Sequence, residues 1–200
     1  ALMSKALKRD MEVALCQNTA KNAGNATTAR QTRSFEAWIT TNKSRGTGGA
    51  DGSASAAATD ATTGNRRALT EALLKGVLQS MFTNGAEPKM AIAGPVNKGV
   101  ISGFTGRSNT RQNVSADTVS ASISVYASDF GELQIVPSNR SRDRSLLLVD
   151  PEYAKVAYLR NFQTMDIAKI GDADTKMILA EYGLEMSNEA AHGIVADLTA

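Results

Sequence analysis

The 200 residues hold one cysteine, Cys16, and one histidine, His192. One cysteine cannot close an internal disulfide, and a zinc site built from several thiolates is excluded with it. One histidine cannot make an H-E-x-x-H metal motif, and any Ser-His-Asp site would have to use His192. That residue sits between a turn-like Asn188-Glu189-Ala190-Ala191 and Gly193, a setting that favours a structural histidine over a catalytic one. Long apolar runs are missing too. No stretch approaches the roughly 20 residues of a membrane helix, and the mean hydropathy is −0.23. No basic start followed by an apolar centre marks a signal peptide. Nor is either sign of charge in excess: 22 Lys and Arg against 20 Asp and Glu leave +2, so the one-sided basic surface of a duplex-DNA binder is not signalled.

Two loop motifs fall short of ligand sites. Gly46-Thr47-Gly48-Gly49 is glycine-rich, but no strand precedes it and no Lys-Ser/Thr opens a helix after it, so it reads as linker and not as a phosphate cradle. Gly171-Asp172-Ala173-Asp174 spaces two acids as calcium loops do, yet lacks the later acceptors and the closing glutamate, and reads as a hairpin turn. No catalytic residue, metal or cofactor is expected.

What is present describes a folded domain. Hydrophobic residues make up 42% and charged ones 21%, ordinary for a soluble globular chain. The length suits one large domain or two small subdomains. Ala1 to Gln17 carries Met3, Leu7, Met11 and Leu15 at helical spacing, giving an amphipathic helix. No N-cap precedes it and Ala1 is not Met, which implies upstream sequence. Cys16 lies among its apolar residues and reads as a buried structural thiol, suited to a reducing cytoplasm. Residues 19–32 are polar loop. Phe35, Trp38 and Ile39 form an apolar knot in which Trp38 anchors a core edge, a ligand-stacking role being the weaker reading.

Residues 43–64 are almost all Gly, Ala, Ser and Thr with few large apolar side chains, predicting a long flexible surface loop. Helix is predicted over 66–81, from Leu69, Leu73, Val77 and Met81, with Asn65 as cap and Asn84-Gly85 as stop. A strand over 89–93 and a helix begun by Pro95, with Val96, Val100, Ile101 and Phe104 on its apolar face, come next. Gly106 to Gln112 is a polar loop. Alternation over 119–126 and 133–137 around a turn at 127–131 predicts a hairpin. Leu146 to Val149 is a strand buried on both faces. Asp150-Pro151-Glu152 reads as a helix start running to Val156, and 164–170 and 175–186 as long antiparallel strands. Arg140, Arg142 and Arg144 alternate in a segment read as extended, which puts them on one side as candidates for intersubunit ion pairs; nucleic-acid contact is the weaker alternative.

The order of segments adds to this. Lys8-Arg9-Asp10-Met11-Glu12, Gly24-Asn25-Ala26, Ala29-Arg30, Trp38-Ile39-Thr40-Thr41-Asn42 and Leu69-Thr70-Glu71-Ala72-Leu73 are followed by Tyr126-Ala127-Ser128-Asp129-Phe130-Gly131, Ile135-Val136-Pro137, Asp150-Pro151, Leu159-Arg160, Ala168-Lys169-Ile170-Gly171-Asp172 and Glu181-Tyr182-Gly183-Leu184-Glu185. In this order they resemble the major capsid proteins of tailed bacteriophages with the HK-97-like fold, across nearly the whole chain. The resemblance implies an α+β fold: a spine helix and following segment over 1–42, the loop over 43–64, a mixed α/β axial (A) domain over 65–162, and a long antiparallel β-ribbon of the peripheral (P) domain with the C-terminal segment over 163–200. The resemblance also implies that the family's N-terminal arm and E-loop belong upstream of Ala1, outside these residues.

It also implies a structural protein that self-assembles into hexamers and pentamers of an icosahedral head around double-stranded DNA. The subunit would fold in the host bacterial cytoplasm and end in the virion. Its partners would be further copies of itself, with scaffold, portal or decoration proteins as other candidates, proximity to packaged DNA without sequence readout, and no membrane. Three alternatives from other classes stand beside it: a small oligomeric binding or regulatory module, a hydrolase using His192, and a DNA binder using the 140–144 segment.

Overall fold

The computed structural model describes residues 2–104, 124–168, 171–172 and 175–199. A mixed six-stranded sheet forms its centre. In chain order the strands are β1 (Asn42–Ser44), β2 (Met90–Ala93), β3 (Val125–Ser128), β4 (Gly131–Pro137), β5 (Leu146–Val149) and β8 (Gly193–Val195), and their spatial order is β1-β8-β5-β2-β4-β3. β1 runs parallel to β8 and β2 to β4, while the other pairs are antiparallel. The remaining two strands, β6 (Ala154–Asp166) and β7 (Lys176–Met186), pair only with each other.

β5 explains the layering. All four of its residues are buried, and a strand sends alternate side chains to opposite faces. Leu146 and Leu148 therefore join Leu74, Val77, Leu78 and Met81 of helix α3 (Glu71–Thr83) and Ile101 of helix α4 (Pro95–Ser102). Leu147 and Val149 join Leu15 of helix α1 (Leu2–Cys16), Phe35 of the short helix α2 (Phe35–Trp38), and Ile39. The base of the ribbon, through Tyr182, Leu184 and Met186, covers this second face. The expectation of a strand buried on both faces holds, and the fold is α+β.

Several expected elements shift, each because a tertiary partner competes with local propensity. The helix predicted from Arg66 starts at Glu71, with Thr70 as its N-cap and not Asn65. Residues before it are held extended, Arg67 donating to the Asp197 carbonyl and accepting from the Thr199 amide. Its C-terminal signal holds: Gly85 adopts φ +79° directly after the capping Asn84. Asp150-Pro151-Glu152 begins a turn instead of a helix: the Asp150 carboxylate accepts from the Glu152 amide, and Ala154 already enters β6. The ribbon thus starts ten residues before the expected Thr164, and the expected boundary between 162 and 163 falls inside it.

α1 matches its predicted span, but only Met11, Leu15 and Cys16 are buried, and Leu2 and Met3 extend beyond the body. On α4 Ile101 is buried and Phe104 packs on the core, whereas Val96 and Val100 are exposed and Asn97 turns inward to donate to the Asp143 carbonyl. The hairpin forms as β3 and β4 around Asp129-Phe130. The loop read at 106–112 and the first residues of the 119–126 strand lie outside the described residues.

One buried polar residue ties the layers. The Asn42 amide nitrogen donates to the carbonyls of Ala190 (2.7 Å) and His192 (3.0 Å), and its oxygen accepts from Ser80 Oγ (2.8 Å) and Asn84 Nδ2 (2.6 Å). Both ends of the side chain are used, so replacing it leaves buried partners unsatisfied. Asn42→Leu is expected to lower stability by about 2–3 kcal/mol, read from the midpoint of urea unfolding at unchanged m-value.

Candidate functional site

The predicted loop over 43–64 is irregular and largely exposed after β1, and composition gave no sign of how it is held. Its first residues lie in β1, and the rest folds back along the body as a strap with specific anchors. The Asp197 carboxylate accepts from the Gly46 amide (2.9 Å) and the Ala61 amide (2.7 Å). Asn18 uses its side-chain amide as a surrogate backbone, donating to the Ala58 carbonyl (2.6 Å) and accepting from the Ala58 amide (2.9 Å). Gly52 lies so close to α2 that a Cβ there would come within 2.7 Å of the Ala37 backbone. Small side chains here permit close approach, so a composition that cannot form its own core can still dock on one.

The strap brings charge with it. Arg45 binds Asp51 (2.9 Å), which also pairs with Lys43. Asp60 pairs with Arg142 and with Arg144 (3.1 Å), and Arg142 reaches Glu36 of α2 (3.0 Å). Glu36 is 1% exposed and also accepts from Ser145 Oγ (3.0 Å). Burial pushes the Glu36 carboxyl above the usual range, against the pull of Arg142, the Ser145 hydroxyl and Arg45. Burial also acts upward on Asp60, but Arg142 and Arg144 together hold it below the usual range. The cluster clamps α2, the strap and the 138–145 segment to one another.

The three arginines singled out by their spacing are therefore not alike. The segment turns instead of running extended. The Arg142 side chain is 14% exposed and engaged within its own chain, Arg144 is 42% exposed, and the Arg140 carbonyl accepts from Gln17 Nε2 (2.7 Å). Asp143, between them, receives the Val96 amide at the start of α4 (3.1 Å). Glu36, Asp60 and Asp197 were not singled out from sequence. The one available signal was Glu36 itself, a lone acid in the apolar knot Phe35-Glu36-Ala37-Trp38.

His192 is fully buried: its Nδ1 accepts from the Asp150 amide (3.2 Å), and its ring meets Phe35 edge to face. Burial lowers its pKa, and a neutral ring accepting a backbone hydrogen bond is a structural role. Cys16 is buried, and burial followed by the charge of Glu12 raises its thiol to about 11. Trp38 stacks with Arg33, 4.3 Å from guanidinium to ring. Of the acidic turn at 171–174, residues 171 and 172 are described and both are exposed. Among the described residues no three His, Cys, Asp or Glu side chains group as a metal site, and no helix is long and apolar enough to cross a membrane.

The ribbon supplies surface instead. β6 and β7 contribute 13 and 11 residues, and most of β6 is exposed. Leu159 (80% exposed), Met165, Ile167 and Met177 form apolar points along it. Register shifts around Arg160 bend the pair. Lys8 of α1 lies 5.6 Å from the centre of the Phe162 ring, so helix and ribbon run in contact.

The family model described as SU10 major capsid protein matches residues 1–199. No curated protein matches in sequence. Among solved structures, a virus-like particle from Pyrococcus furiosus is similar at 14% identity and a TM-score of 0.40, over 68% of this chain and 56% of that one. The chain thus spans a little over half the length of that particle protein.

Proposed function

The chain belongs to the SU10 major capsid protein family, a structural capsid role, and from that premise we propose that its copies close into hexamers and pentamers of an icosahedral phage head around double-stranded DNA. The observation that carries the proposal is the ribbon. A two-stranded ribbon outside the central sheet, with exposed apolar residues and open edges, is an association surface in waiting. Heterologous contacts close into rings when the rotation permits, and many modest contacts per subunit sum to a durable shell.

In this reading the subunit has the HK-97-like plan, with α1 as spine, β6–β7 as the peripheral ribbon and the helix-flanked sheet as the axial part. The loop carrying Arg140, Arg142 and Arg144 is a proposed subunit contact, in which Arg142 supports the loop from within while Arg140 and Arg144 face a neighbour. Scaffold, portal or decoration proteins and the packaged DNA are further proposed partners, and the virion is the destination.

Electron microscopy of the bacterially expressed gene product tests the proposal. Closed shells or ordered hexamers and pentamers are expected. Small discrete oligomers alone, with a scaffold partner supplied, would favour a binding module and overturn it.

A further inference from the structure

The face of the sheet that α1 covers at β5 is left partly open toward β2 and β4, where Met90, Ile92 and Val136 are only half-buried. A groove of about 370 Å³ lies there, walled by apolar side chains of α1, α2, β2, β4 and β6, with Val156 and Tyr158 on the ribbon side and Cys16 in the opposite wall. Its charged residues are Lys8 and Glu12 of α1. Glu12 accepts from Ser138 Oγ (2.5 Å), and the Lys8 ammonium stands 5.6 Å from the centre of the Phe162 ring. Among the described residues no lining side chain leaves a buried polar atom without a partner, so the groove calls for apolar surface and not for a polar ligand. The most exposed large apolar side chain of the ribbon stands beside it. Leu159 directly follows Tyr158 in the chain, yet it is 80% exposed, so it does not fill the groove of its own subunit. The register shift between Tyr158 and Arg160 makes Leu159 the extra residue of a bulge, a device that takes a residue out of the ladder and re-aims its side chain. On its shoulder Arg160 pairs with Glu181 (3.1 Å).

We propose that the groove receives Leu159 of a second copy of this chain, while the groove of that copy receives Leu159 of the first. Knob and hole are neighbours: Val156 and Tyr158 form one wall of the hole and Leu159 is the next residue. A two-fold axis passing beside Tyr158 therefore brings each knob over the other hole. The charges are complementary as well. The rim carries Lys8 and Glu12, one turn apart on α1, and the knob is flanked by Arg160 and Glu181. One orientation of the knob sets Arg160 toward Glu12 and Glu181 toward Lys8 of the opposite copy, so that each sign meets its opposite. Around the knob the strand continues the apolar surface, with Val156 37% and Tyr158 44% exposed. Such a contact is isologous, the same patch serving both copies. Rings of five or six are closed by heterologous contacts, so the place of this one is between rings, joining each to the next.

The role between rings rests on the shell-forming reading, and two variants separate the one from the other. Leu159→Asp puts a charge on the knob. It is expected to cut the yield of closed particles about tenfold or more, counted by electron microscopy, while separate rings persist and the melting temperature of the subunit by circular dichroism is unchanged. Leu159→Cys uses the chain's own Cys16 in the groove wall as a reporter. Treated with an oxidant or a short bismaleimide, it is expected to give a covalent dimer on a non-reducing gel, and the dimer is expected to disappear when Cys16→Ala is added. Wild-type particle yield from Leu159→Asp overturns the inference while leaving the shell reading intact. So does a missing dimer, or one that forms equally without Cys16, which would show that Leu159 meets its neighbour outside the groove or that the groove takes a segment of a different protein. Failure of the wild type to form rings or shells would instead strike the proposed function, and the Cys16-dependent dimer would still decide whether groove and Leu159 meet.

Discussion

Arg142→Ala is expected to lower the stability of the subunit by about 3 kcal/mol at neutral pH, because it takes the nearer of two arginines from a buried carboxylate and leaves only Arg45, 4.0 Å away. Glu36 is 1% exposed, and Arg142 is the largest of the influences that oppose its burial. The loss should also depend on pH, in a direction the two carboxyls fix. Glu36 has a folded pKa above its unfolded one, so the folded state holds that proton more tightly; its contribution favours folding as pH falls and opposes it once pH rises past the folded pKa. Asp60 has a folded pKa below its unfolded one, so its contribution is complete above the unfolded carboxylate pKa and is lost as pH falls through the folded value.

Removing Arg142 raises Glu36 further and relieves Asp60 of part of its depression. The gap between variant and wild type is therefore widest at neutral pH. It narrows toward acid, where Glu36 can fold uncharged and the wild type loses its Asp60 contribution. Chemical denaturation at a series of pH values measures it, and a gap independent of pH would refute the account. Adding Glu36→Gln to the variant should recover part of the loss, since a neutral amide costs less to bury than an unpaired carboxylate.

The second large effect is expected at Asp197. Its carboxylate holds both ends of the strap, and its backbone sits at φ +60°. Alanine there removes the acceptor from two amides, at roughly 1–3 kcal/mol for each buried group. It also removes the short polar side chain that lets aspartate and asparagine occupy the left-handed region more readily than alanine. Asp197→Ala is expected to favour opening of the strap by about 3 kcal/mol, roughly a hundredfold, with Asp197→Asn well short of that. Limited proteolysis reads it directly: cleavage between residues 47 and 58 should accelerate sharply in the alanine variant. Equal cleavage rates in both variants and wild type would show that Asp197 is not what holds the strap.

These two sites mark where the sequence could be read and where it could not. Periodicity located α1, the end of α3, the hairpin of β3 and β4, and β5, because each of those signals is local: apolar spacing, Asn84-Gly85, alternation, four consecutive apolar residues. The anchoring of the strap was not legible because the argument from composition is about forming a core, and 43–64 does not form one. It lies on a core made by others, through amides and small side chains that leave no pattern in sequence. The start of α3 and the entry to β6 were misplaced for a related reason. Arg67 and Tyr153 are claimed by Asp197, Thr199 and Ser187, partners dozens of residues or more away. The arginine spacing drew attention to the 140–144 loop but carried no sign of Arg142's pairs within the chain, since Glu36 and Asp60 lie 106 and 82 positions earlier.

The place of β8 in the sheet also constrains how the subunit is made. It is inserted between β1 and β5, pairing Gly193 with Asn42 on one side and with Leu148 on the other. A nascent chain that has not yet reached Gly193 holds β1 with no sheet to join and β5 with an open inner edge. It also lacks Asp197, so the strap has nothing to fasten to. Pairings between such distant segments form late. Synthesis past Asp197 is thus the point at which the subunit can finish folding: a copy interrupted before Gly193 carries an unsealed sheet and an unfastened strap.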